Sequence, residues 1–136
     1  MTSRSSGVRF GFGIAGALSV TLAAVHVFGG GPEFHVPMLD GNATDKLKAA
    51  FSVIWHEVTA MLVANGVVLM FASRKPENYR GVGWLVLVQY LAFAGLFFAY
   101  GFLRLGSPWV LSQWTFFMVI SAFIVWGLVR PARALS

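Results

Sequence analysis

Apolar residues fall in four long runs along this chain, at about 10–28, 50–72, 82–103 and 109–129. Each run approaches the roughly 20 residues that an α-helix needs to cross a lipid hydrocarbon core. None shows the two-residue alternation of a half-buried strand. The breaks between runs carry helix-stopping chemistry. Gly29-Gly30-Gly31-Pro32 is expected to end the first helix and open an outer loop over 29–44. Arg74-Lys75-Pro76-Glu77-Asn78 separates the second run from the third, and Gly106-Ser107-Pro108 the third from the fourth. Ser107 fits an N-cap there, with Pro108 at the first helical position, where its missing N–H costs nothing. Helix is expected to resume at Thr44 or Asp45. The expected fold is therefore an all-α integral membrane protein: one domain over 1–136, four transmembrane helices in an antiparallel bundle.

Composition agrees with that pattern. Hydrophobic residues make up 57% of the 136 and charged residues only 11%, with a mean hydropathy of +0.73. Soluble domains carry about a quarter charged residues. The net charge of +5 does not point to nucleic acid, because the basic residues lie in the short links between apolar runs. Their distribution instead sets an orientation. Arg4, Arg9, Arg74, Lys75, Arg80, Arg130 and Arg133 fall on one side, and only Lys46, Lys48 and Arg104 on the other, next to Glu33, Asp40 and Asp45. The positive-inside rule then predicts cytoplasmic N- and C-termini and an outward-facing first loop. The chain resembles many small four-span bacterial inner-membrane proteins, which implies that location. A cleavable signal peptide is the competing reading of the first run, but Gly11, Gly13 and Gly16 interrupt it and no small-x-small cleavage site closes it.

The absence of cysteine excludes disulfides, thiolate metal sites and dithiol redox chemistry. Two motifs lose their usual meaning in context. Gly11-Phe12-Gly13-Ile14-Ala15-Gly16 matches the dinucleotide fingerprint, but that motif works between a strand and a helix start, so no nucleotide is expected. Gly7, Gly11, Ala15 and Ser19 instead follow the small-xxx-small spacing of close helix packing. His56-Glu57-Val58-Thr59-Ala60 begins like a zinc-protease motif but has Ala60 where the second histidine would stand. Asn42-Ala43-Thr44 is a formal glycosylation sequon, meaningful only in a eukaryotic secretory pathway. No nucleophilic triad, phosphate loop or paired-carboxylate site can be assembled, so catalysis would require a bound metal or cofactor.

His56 and Glu57 remain, an ionisable pair in a run otherwise built for lipid. Such residues are costly at membrane depth and need a partner or a purpose. The orientation gathers further polar residues at the same outer end: His26 on the first helix, His35 in the loop, Tyr100 and Arg104 on one face of the third helix, and Gln113 at the start of the fourth. His26 shares a helical stripe with Gly11, Ala15, Ser19 and Leu22 and is expected to point into the bundle. His56 shares one with Ser52, Thr59 and Val63, whereas Glu57 is turned about 100° from it. Three functions fit these residues. One is a cofactor or metal site built from His26, His56, Glu57 and His35, with Tyr100, Arg104 and Gln113 nearby. A divalent metal or haem b would be bound, with Phe93, Phe97 and Phe98 lining a haem slot. Another is an accessory subunit or homo-oligomer with a membrane-protein partner. The third is proton or cation transport through Glu57, with Asn65 and Gln89 as inner polar steps. A structural reading stands beside them: an aromatic belt, and an Arg104–Glu57 ion bridge.

Overall fold

The computed structural model describes residues 3–75 and 78–129. Pro76, Glu77, Arg130 and Arg133, used above for the links and the charge pattern, lie outside the described residues, as does the side chain of Arg4. The described residues are mostly helical, with no strand. Helix α1 (Ser3–Val25) runs on into a π-helical segment (His26–His35) and the short α2 (Val36–Asp40). Then follow α3 (Asp45–Ala72), α4 (Arg80–Leu105), a 3₁₀ turn (Pro108–Leu111) and α5 (Trp114–Val129). Three stretches are long and apolar enough to cross a membrane: Arg9–Asp40, Asp45–Ala72 and Arg80–Leu105. Helix α5, at 16 residues, is a shorter apolar helix. The expected fourth run is divided, its first residues forming the 3₁₀ turn.

The main departure from the sequence reading is at Gly29–Pro32. The loop expected over 29–44 is helical as far as Asp40, and only residues 41–44 are not. A proline inside an α-helix removes one hydrogen bond and clashes with the carbonyl four residues before it. Wider π turns, closed by bonds such as Val36 N–H to the Gly31 carbonyl, carry the chain across Pro32 without a break. The segment stops at Gly41, whose backbone is extended. Thr44 then caps α3, its side chain accepting from the Leu47 N–H, with Asp45 in the first turn.

The other boundaries follow local chemistry. Gly106 ends α4 in the left-handed conformation (φ 74°), with Ser107 N–H reaching the Gly101 carbonyl and Gly106 N–H that of Phe102. Ser107 caps the 3₁₀ turn by accepting from Trp109 N–H, with Pro108 first in the turn, as the sequence suggests.

Helix α1 lies between α3 and α5, α4 packs on α5, and α3 meets α4 less closely. Glycines set the closest approaches. A Cβ at Gly16 would lie 2.6 Å from the Gly66 carbonyl, and one at Gly66 would lie 2.8 Å from that of Gly16. On the other side, a Cβ at Gly11 would sit 2.8 Å from Gly127 N and 2.9 Å from the Phe123 carbonyl. The small-residue stripe therefore faces other helices, with Gly11, Ala15 and Ser19 buried. The core continues through Phe12, Leu62, Leu69, Val86, Tyr90, Phe117, Ile120 and Ile124.

Candidate functional site

One end of the bundle carries the π segment, α2 and the start of α3, together with the end of α4 and the 3₁₀ turn. All three histidines of the chain are at this loop end, two of them stacked on the indole of Trp55 and the third, His56, against His35. His26 stacks on Trp55 with ring centroids 3.9 Å apart and planes 21° apart. Its Nε2 lies 3.2 Å from the Trp55 carbonyl, and since a carbonyl can only accept, Nε2–H is the donor. Thr59 Oγ1 donates to the same carbonyl at 3.2 Å. His35 also lies parallel to Trp55, at 5.4 Å and 11°, and its Nε2 is 3.0 Å from Ser52 Oγ. Phe51 flanks both His35 and Trp55. His56 meets His35 edge to face, with centroids 5.6 Å apart.

The π segment makes this convergence. His26 and His35 are nine residues apart, two and a half turns of an α-helix, which would set them on opposite faces. A π-helix has about 4.4 residues per turn, so nine residues make close to two whole turns and both rings fall on the face toward α3. Gly30 lies between them on that side. A Cβ there would stand 3.2 Å from the edge of the Trp55 indole.

The other expected site residues are placed differently. His26 is half-buried on the inner stripe, as expected, but the ring contact of His56 is with His35. Neither His56 nor Glu57 is buried. Glu57 turns away from the imidazoles into an open cleft of about 350 Å³ between α3 and α4, lined also by Ile54, Val58, Met61 and Phe93. Tyr100 is 58% exposed, and Arg104 is exposed. The ion bridge between Arg104 and Glu57 is not formed. Gln113 packs with its Oε1 buried and without a hydrogen-bond partner. Phe93 and Phe97 stack on Phe117, and Phe98 meets Trp114 edge-on, so these rings pack α4 against α5 instead of lining a flat slot. Among the described residues, no group of three or more His, Asp or Glu side chains is arranged to hold a metal ion.

A second polar group lies deeper. Ser19 Oγ donates to the Leu62 carbonyl at 2.7 Å and so must accept from the Tyr90 hydroxyl, since a serine has one proton to give. Ser19 and Tyr90 are fully buried. Alongside, Asn65 Nδ2 donates to Gln89 Oε1 at 2.7 Å. The two amides expected as separate polar steps thus satisfy each other across α3 and α4. Tyr90 escaped the sequence reading because a tyrosine in an apolar run looks like any packed aromatic. Trp55 escaped for a similar reason, although its i−4 and i+4 neighbours, Phe51 and Thr59, mark out a semi-polar face.

No protein-family model, no curated protein and no solved structure matches this chain.

Proposed function

We propose that this chain is a four-span integral membrane protein of a bacterial inner membrane, with both termini in the cytoplasm, and that it binds a ligand at its outer end through the imidazoles gathered there. The π-helical cap is the observation that carries this reading. Two π turns are rare, and π geometry recurs at functional sites. A simple lid over the bundle end would be served by the ordinary turn that Gly29–Pro32 encodes. The π turns instead bring His35 round to the face of His26 and into contact with His56.

A first-row divalent metal ion is the ligand class that clustered neutral imidazoles favour. His35 and His56 are the pair best suited to reach one, because their rings touch and His56 makes no hydrogen bond among the described residues. His26 is committed through Nε2 to the Trp55 carbonyl and acts as a support. With two protein ligands, water would complete the coordination and binding would be weak, in the micromolar range or above. Glu57 faces another cleft and Phe93, Phe97 and Phe98 are packed, so neither a His–Glu metal set within one chain nor a haem slot is supported.

Titration of the purified protein with Zn²⁺, Ni²⁺ and Cu²⁺, read by calorimetry and elemental analysis, tests the reading. One equivalent per chain is expected, lost in His35→Ala and His56→Ala. Wild-type protein that binds none of the three ions would sink it. Transport through Glu57 has less support, because Met61 and Phe93 stand beside Glu57 in the cleft and no polar side chain lines it with them.

A further inference from the structure

His56 and Glu57 are exposed on α3 and, among the described residues, paired with no opposite charge. Both lie well inside the apolar length of α3: Lys48 and Arg74 are its nearest flanking cations, and Glu57 is about 6 Å along the axis from the midpoint between them, at 1.5 Å per residue. Ionisable residues at membrane depth almost always face a protein interior or a water-filled cavity. A face that presents two of them outward is therefore covered by protein.

The rest of this face identifies the cover. His56 and Glu57 diverge by about 100° around the helix axis, and Val53, Ala60 and Ala64 fall in the arc between them. All three are exposed. Ala60 and Ala64 form a small-xxx-small pair that admits a close helix neighbour. Within one helix His56 and Glu57 cannot face each other. Across a two-fold axis along the membrane normal, two parallel copies of α3 set position 56 of one beside position 57 of the other, about 1.5 Å apart in height.

We infer that α3 pairs with α3 of a second copy of this chain, Ala60 and Ala64 at the seam, so that His56 of each copy meets Glu57 of the other in two equivalent hydrogen-bonded pairs. Self-complementary contacts of this kind generate closed dimers, the commonest oligomers. The pairing occupies one ring nitrogen of His56 and leaves the other free. A carboxylate behind a metal-ligating histidine is a usual arrangement, although the dimer stands without any metal. The inference rests on membrane insertion alone, which resistance to alkaline extraction reports separately.

The absence of native cysteine makes the test clean. Ala60→Cys and Ala64→Cys, treated in native membranes with a short bis-maleimide, should give a band at twice the 14.8 kDa of the chain. Val88→Cys, which is 62% exposed on α4 and as far from the start of α4 as Ala64 is from the end of α3, should not. Adding His56→Glu to Ala64→Cys sets like charges together and should cut cross-linking at least fivefold. The exchanged pair His56→Glu with Glu57→His should restore it. Monomer at both alanine positions, equal cross-linking at Val88→Cys, or a band formed with a different protein overturns the proposal. So does a dimer indifferent to both charge variants.

Discussion

His26 and His35 are separated by nine residues, yet both lay their rings parallel to one indole, that of Trp55. The relationship exists because the backbone between them is π-helical. Trp55 is the surface against which that backbone is held, with His26 at 3.9 Å and Gly30 against its edge. Trp55→Ala should therefore release the segment. The expected cost is about 2 kcal/mol, below the range for a fully buried tryptophan because Trp55 is half-buried. Amide exchange should accelerate over residues 26–40 and stay unchanged in α4 and α5. Trp109→Ala, which removes a ring 66% exposed, should leave exchange over 26–40 as it is.

The glycine crossings give a second expectation with an internal contrast. Gly16→Ala places a methyl carbon 2.6 Å from the Gly66 carbonyl, and backbone cannot yield as a side chain does. Separation of α1 from α3 should follow, with a loss of about 2–3 kcal/mol, in the range of overpacking. Gly95→Ala meets nothing within 4 Å and should stabilise α4 by about 0.5–1 kcal/mol through helix propensity. Thermal unfolding in detergent would show the two shifts in opposite directions.

The hydrogen-bond chain from Tyr90 through Ser19 to the Leu62 carbonyl predicts an order of effects. Tyr90→Phe removes a donor and leaves Ser19 bonded to the carbonyl, at a cost of about 1 kcal/mol. Ser19→Ala takes the acceptor from a fully buried phenol and should cost about 2 kcal/mol. The double variant should be no worse than Ser19→Ala alone, because the phenol that lost its acceptor in the first change is gone. Additive losses in a double-mutant cycle would show that the two hydroxyls act separately.

Orientation can be checked by labelling single cysteines in a chain that has none of its own. Asn42→Cys, in the turn before α3, should react with an impermeant maleimide in intact cells. Asn78→Cys, in the link before α4, should react only after permeabilisation. The reverse pattern would overturn the positive-inside assignment.

Much of the architecture was legible in the chain, since run length and punctuation respond to local chemistry. The start of α3 at Thr44 and Asp45 needed only a cap, and Ser107 and Pro108 marked the 3₁₀ turn, although not the start of α5 at Trp114. The inward direction of Gly11, Ala15 and Ser19 needed only a 3.6-residue period. The same period misled at the loop end. Gly29-Gly30-Gly31-Pro32 carries stop signals, and no local rule says that a wider turn will carry helix through them.

The sequence by itself determined the four apolar helices, their antiparallel order and the gathering of all three histidines at one end, because these follow from chain length and residue spacing. Only the tertiary structure decided which polar groups meet. His35 reaches Trp55 because the packing of α1 against α3 gives the π turns an aromatic surface to lie on. Glu57 is parted from the imidazoles because one residue along an α-helix is about 100° of rotation, enough to turn it toward α4. Ser19 and Tyr90, 71 positions apart, bond because α1 and α4 converge on the same buried point beside α3, a distance in space that spacing along the chain does not encode.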